Sequence, residues 1–193
     1  MGDTSRGRDD AAVRRAVADL ILSLGLDPKA EPDLAETPAR VAEMYRELFS
    51  GLEPGAEPDL AVFPHAGAGD LVVVRDLAFH SLCVHHFVPF FGRALVAYLP
   101  GTKLAGISAA ARLLEFYSRR PQLQERLGQQ IADHLERVLQ PRGVAVVLEA
   151  RHLCMEMRGV RRYGMVETRT VRGELADPRW AGALLFGPGG AGA

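Results

Sequence analysis

The sequence predicts an α+β fold, an antiparallel sheet with helices packed on one face. Three observations predict it. The elements run helix, helix, loop, strand, strand, helix, helix, strand, strand, so two hairpins are separated by a helical pair. The strand segments are short and rich in Val and Leu, and Pro-Gly or Pro-Arg-Gly stops bound them. The helical segments carry apolar residues three and four apart, a spacing that lines one face of a helix and neither face of a strand.

Each element has its own signal. Residues 1–10 are polar and predicted to be disordered. Val13, Val17, Leu20, Ile21 and Leu24 form the stripe of a helix over 11–24, and Gly25 stops it. A Pro- and acid-rich connector follows. Thr37 then offers an N-cap and Pro38 a first helical residue, with Val41, Met44, Tyr45, Leu48 and Phe49 as the apolar face. Residues 51–70 are rich in Gly and Pro and read as a linker. Residues 71–74 start a strand that continues towards Leu82, and residues 92–99 form its partner, closed by Pro100-Gly101. Ser108 can cap a helix through about Arg119. Pro121 opens the next, whose face is Leu123, Leu127, Ile131, Leu135 and Leu139. Residues 144–150 and 167–171 are the last two strands, and the GPGGAGA ending is low-complexity and predicted to be disordered. The expected organisation is a disordered N-terminus over 1–10, a helical appendage over 11–60, a main α+β domain over 61–176 and a tail over 177–193.

Composition narrows the class. The 193 residues are 48% hydrophobic and 24% charged, with a net charge of −1 and mean hydropathy of +0.00. That excludes a disordered chain, and the absence of an 18-residue apolar run excludes a membrane-spanning helix. The first 15 residues mix acids and bases without an apolar core, unlike a secretory signal, so a cytoplasmic protein is expected. The near-zero total hides an asymmetry. Residues 151–172 hold six Arg against two Glu, a segment suited to an anionic ligand or simply to a solvated strand pair. No aromatics interleave these Arg residues, so nucleic acid is not the expected partner.

Both cysteines, Cys83 and Cys154, sit in His-bearing clusters. Cys83-Val84-His85-His86 follows one predicted strand, and His152-Leu153-Cys154 follows another. Two thiolates and an imidazole are preferred zinc ligands and leave a fourth position open for water. Small buried cysteines, or a Cys–His nucleophile, are other uses of the same residues. At the helix start, Ser108 and Arg112 could meet an anion, or form an ordinary cap with a surface Arg. Gln124 and Glu125 lie off the apolar stripe. They are either a solvated face or an amide and carboxylate placed to read a guanine edge.

The runs ETPARVAEMYRELFSGL, SLCVHHFVPFFGRALVAYLP, RRPQLQERLGQQIAD and GVAVVLEARHLCMEMRGV together resemble type I GTP cyclohydrolase over about residues 35–175. The resemblance implies the tunnelling fold, a four-stranded antiparallel sheet with two helices between strands two and three. It also implies a toroidal homo-oligomer, usually a decamer, with active sites between subunits. It implies Zn2+ held by Cys83, His86 and Cys154, with His85 as the principal acid/base and His152 a second histidine near the guanine. It gives guanine recognition to Gln124 and Glu125, and the triphosphate to Ser108, Arg112 and Arg158. The implied reaction opens the imidazole ring of GTP, releases formate and closes 7,8-dihydroneopterin triphosphate. The sequence departs from the family pattern at Ala109, where a phosphate-contacting Lys is usual, at His80, and over residues 163–171. Loss of a charged phosphate contact costs about 1.5–3 kcal/mol if nothing replaces it. A paralogue acting on a purine nucleotide with fewer phosphates, or stopping at a ring-opened intermediate, is therefore the second expectation. A non-catalytic zinc-stabilised oligomer is the third; retention of His85 and His152 argues against it.

Overall fold

The computed structural model describes residues 8–66 and 70–186. The expected disorder of residues 1–7 and of the 187–193 ending falls outside the described residues, as do positions 67–69 of the linker.

Two helices come first. Helix α1, Asp10–Ser23, is capped by the Asp9 carboxylate, which accepts from Ala12 N at 3.0 Å. Helix α2, Thr37–Leu48, packs against it, and an Arg46–Asp10 ion pair ties the two. Thr37 is not the cap that the sequence predicts. A short 3-10 turn over Pro32–Leu34 leads straight in, so Glu36 is already in helical conformation and Thr37 is the first residue of α2.

The sheet is built from β2, Val72–Cys83; β3, Pro89–Leu99; β6, Gly143–His152; and β7, Met165–Gly173. Its spatial order is β5-β2-β3-β6-β7, where β5 is the two-residue strand Pro121–Gln122. The four long strands pair antiparallel, and helices α3, Ala109–Ser118, and α4, Gln124–Leu139, lie between strands two and three of the four. This mixed architecture is that of the tunnelling fold. A separate pair, β1 (Val62–Pro64) with β4 (Lys103–Ala105), stands beside it. Strands β3 and β6 are central and buried on both faces, which is why they read as continuous apolar runs rather than alternating ones. Gly92 permits their close approach, because a Cβ there would come within 1.9 Å of Glu149 O.

One face carries the helices: Leu113, Leu127, Ile131 and Leu135 pack on Phe90, Val96, Val146 and Leu148. The other face is not bare. Leu95, Ala97, Leu99, Ala145 and Val147 are covered by Leu175, Trp180, Leu184 and Phe186. The region from residue 177, expected as a tail, therefore begins with a 3-10 helix over Pro178–Leu184 that docks on the sheet. Its composition gave little sign of this, because its large apolar residues are only Trp180, Leu184, Leu185 and Phe186, set among Pro, Gly and Ala.

One boundary moves in a way that matters for the site. The second helix of the pair was expected to open at Pro121 but begins at Gln124. Pro121 and Gln122 instead pair parallel with Leu82 and Cys83. The fully buried Gln122 side chain holds this strand by donating to Tyr117 O at 2.8 Å and Gln130 Oε1 at 2.7 Å. The start of α4 is thereby pinned beside Cys83.

Candidate active site

Three segments converge at one end of the sheet. The first is the turn from β2 to β3. Phe87 N and His86 N approach Cys83 O at 2.8 and 3.3 Å, and Cys83 N donates to Val88 O at 3.0 Å. Phe87 takes a left-handed conformation, φ 52°, so four residues reverse the chain. Its ring lies edge-on to Phe49, 5.7 Å away, which links the turn to the segment after α2. The turn leaves Cys83 buried with its backbone in β2, and His85 and His86 exposed.

The second segment follows β6. His152 ends the strand, and the short helix α5, Leu153–Glu156, carries Cys154. An Arg151–Glu156 pair clamps this turn, with Nε–Oε1 at 3.1 Å and the second guanidinium nitrogen at 2.6 Å from Oε2. The hydrogen bonds from Arg151 hold the Glu156 carboxyl below the usual carboxylate range. No sequence motif marks this pair, because a separation of five matches no helical spacing, and Arg151 reads only as one of six Arg in a basic segment.

The ligand atoms of Cys83, His86 and Cys154 lie within 4.8 Å of one another. Distance to Cys83 alone does not separate the two histidines, because Nδ1 of His85 and Nδ1 of His86 are each 3.8 Å from its Sγ. Only His86 also reaches Cys154. The donor set fits a metal. Burial, and then the neighbouring Cys83 sulfur, push the Cys154 thiol up, so two thiolates this close need a cation between them. Thiolate and imidazole are the donors that zinc prefers, and three of them leave a coordination position open.

The third segment is the start of α4. His152 Nε2 is 2.7 Å from Gln124 Oε1, and its ring stacks on Phe90 at 4.8 Å between centroids with 4° between planes. Burial pushes the His152 pKa down, against the pull of Glu125 and Glu156, so the ring is neutral near pH 7 and can accept a proton. Glu125 is exposed and has no intrachain ion pair among the described residues. Gln124 differs from its neighbour. It is 2% exposed, and its amide nitrogen lies 3.0 Å from Leu148 O and 2.9 Å from Val166 O. That nitrogen is engaged by the sheet, although the sequence suggested it for a guanine edge.

The predicted phosphate residues divide. Arg158 is beside the cluster, one guanidinium nitrogen 3.3 Å from His86 Nε2. Ser108 and Arg112 are not. The far end of α3 is fixed near Cys83 by Ser81 Oγ donating to Ser118 O at 2.7 Å. Ser108 therefore stands a whole ten-residue helix away, about 15 Å at 1.5 Å per residue. Ser108 occupies the N-cap position, but its side chain makes no capping bond. With Asp59, Ala109 and Arg112 it lines a cavity of about 70 Å³.

The model of the family GTP cyclohydrolase I matches residues 13–185. The chain belongs to the GTP cyclohydrolase I family. Among its similar relatives, GTP cyclohydrolase 1 of Streptomyces avermitilis is 48% identical over 173 residues, 88% of this chain and 86% of the relative. GTP cyclohydrolase 1 of Thermobifida fusca is 46% identical over 185 residues, covering 92% and 89%. That of Bacillus subtilis is 46% identical over 176 residues, covering 90% and 92%. The chain is thus an enzyme of the GTP cyclohydrolase I type, and its Cys83–His86–Cys154 cluster is the metal-binding candidate of this family member. No helix among the described residues is long and apolar enough to cross a membrane.

Proposed function

We propose that this chain hydrolyses the imidazole ring of GTP, releases C8 as formate and forms 7,8-dihydroneopterin triphosphate. The observation that carries the reading is the convergence of Cys83, His86 and Cys154, with His85 and His152 beside them and the free carboxylate of Glu125 on the next segment. Cys83, His86 and Cys154 would hold zinc, which when bound supplies a Lewis acid that lowers the pKa of water towards ~7. His85, exposed and tethered in the turn, donates and removes protons at the purine ring nitrogens while water adds at C8. His152, neutral near pH 7, is a second proton acceptor at the base. Glu125 accepts from guanine N1–H and the 2-amino group, so the ring is held in place for attack. The test is to incubate zinc-loaded protein with GTP and measure formate and pterin fluorescence separately. Formate without pterin would indicate an enzyme that stops at the ring-opened stage. Bound zinc without formate would indicate a non-catalytic oligomer.

The distance of Ser108 and Arg112 from the metal cluster supports a shared site. Ser108 stands about 15 Å from the end of α3 nearest Cys83, whereas Arg158 is beside the cluster, so in this reading a second copy supplies Ser108 and Arg112 to the phosphates. This supports a toroidal homo-oligomer, a decamer in our reading, made of helical appendages over 11–60 and catalytic domains over 61–176. The proposed setting is cytoplasmic tetrahydrofolate synthesis.

His85 and His86 are adjacent but have different roles. His85→Ala is expected to retain zinc and lose at least ~10²-fold in rate, the scale of one positioned proton donor. His86→Ala is expected to lose metal. Elemental analysis beside kcat measures both, and equal zinc loss in the two variants would merge their roles.

A second reading concerns the phosphate end and rests on Ala109, which is 4% exposed and shares its small cavity with the acid Asp59. A Lys is the usual residue of the family there, so GTP is expected to lose much of its advantage over GDP and GMP, and Ala109→Lys to restore part of it. The readout is kcat/KM across the phosphate series in both proteins. A wild-type preference for GTP above ~10³-fold, unchanged by the substitution, would show that the charge is already replaced.

A further inference from the structure

Gln124 opens a helix yet is almost wholly buried, and its orientation is determined by its surroundings. Besides Leu148 O and Val166 O, its amide nitrogen lies 3.2 Å from Thr168 Oγ1. Two of these three neighbours are carbonyl oxygens, which can only accept. The NH2 group must therefore face the sheet and the amide oxygen must face away from it. That oxygen is 2.7 Å from His152 Nε2. An amide oxygen only accepts, so Nε2 must carry the proton. A neutral imidazole has one N–H, and the lone pair is then on Nδ1. Phe90, the cross-strand partner of His152, fixes the plane of the ring by stacking.

We propose that Gln124 is a positioning residue that fixes a proton of the His152 imidazole on Nε2, leaving Nδ1 as the one nitrogen that can accept from the purine. The chain of constraint runs from carbonyls of β6 and β7, through the amide, to the imidazole. It places the acceptor atom without any contact between Gln124 and substrate. The catalytic half of this assignment rests on the proposed work of His152 at the purine; the tautomer does not. Base reading then falls to Glu125 rather than to a Gln–Glu pair, because the donors of Gln124 are already engaged.

The experiment uses full-length, zinc-loaded protein labelled with 15N-histidine, without nucleotide and above neutral pH. The His152 resonances are expected to show a protonated Nε2 and an unprotonated Nδ1. Gln124→Met, close in volume, should shift them towards a mixture of tautomers. It should lower kcat on the order of 10- to 100-fold, the usual scale for a partner that orients a functional imidazole. KM for GTP should change by less than about threefold, with the preference for guanine over adenine kept. On a His152→Ala background the same substitution should cost nothing further. A protonated Nδ1 in the wild-type protein would overturn the proposal, whether or not the variant folds. A raised KM with relaxed base preference would return Gln124 to guanine reading, and additive losses on the His152→Ala background would make its role general support of the fold. If the wild-type protein shows the Nε2–H tautomer but does not turn over GTP, the functional reading fails and the positioning stands.

Discussion

Replacing Cys83 or Cys154 with serine is expected to take the protein from one bound zinc per subunit to almost none, and GTP ring opening with it. Two of the three candidate ligands are cysteines, and a serine hydroxyl stays protonated near neutral pH and cannot replace a thiolate. The two sites should respond alike although their surroundings differ. Cys83 is buried at the end of β2, and Cys154 is half-buried on the clamped turn of α5. Burial, and then the nearby Cys83 sulfur, push the Cys154 thiol up, and either variant keeps only one thiolate and one imidazole, too few to hold the metal. Elemental analysis of the purified variants, with thermal melting to show that the sheet is intact, decides the matter. A serine variant with full zinc would show that the cluster within 4.8 Å is not the metal site.

Glu125 is expected to carry the second large effect, the choice of base. Its carboxylate is exposed at the first turn of α4, has no ion pair among the described residues and pulls on the titration of His152. Guanine presents N1–H and a 2-amino group to such an acceptor, whereas adenine presents neither in that arrangement. A site built around a donor it no longer meets rejects the wrong ligand by ~10⁴-fold or more, because the carboxylate is left desolvated and unpaired. The wild-type kcat/KM for GTP should therefore exceed that for ATP by about that factor, and Glu125→Ala should reduce the ratio to within ~10². ATP turned over as well as GTP by the wild-type protein would remove Glu125 from this role. The result also bears on Gln124, whose amide nitrogen is engaged by the sheet.

The sequence by itself determined the element order, the antiparallel sheet with its paired helices, the clustering of both cysteines with histidines, and the family. These are local or cumulative signals. Apolar residues at period 3.6 mark α4 whatever it packs on, and residues three apart such as Cys83 and His86 stay close in a tight turn. Tertiary structure alone decided which atoms meet. The β5 pairing moved the start of α4 to Gln124 and set it beside Cys83, through a buried Gln122 that sequence pattern counts as polar. The 3-10 segment over Pro178–Leu184 closed the second sheet face with no periodicity to announce it. Ser108 was placed a helix length from the end of α3 nearest Cys83, with Arg112 one turn into that helix, a separation that sequence motifs do not encode. Gln124 and Glu125, adjacent and similar in sequence, were given opposite surroundings: a helix turns about 100° per residue, so one side chain enters the sheet and the other faces solvent. Residue type indicates which chemistry is available. Which donors are already engaged depends on neighbours up to 44 positions away, such as Thr168, and only the packed fold brings them into contact.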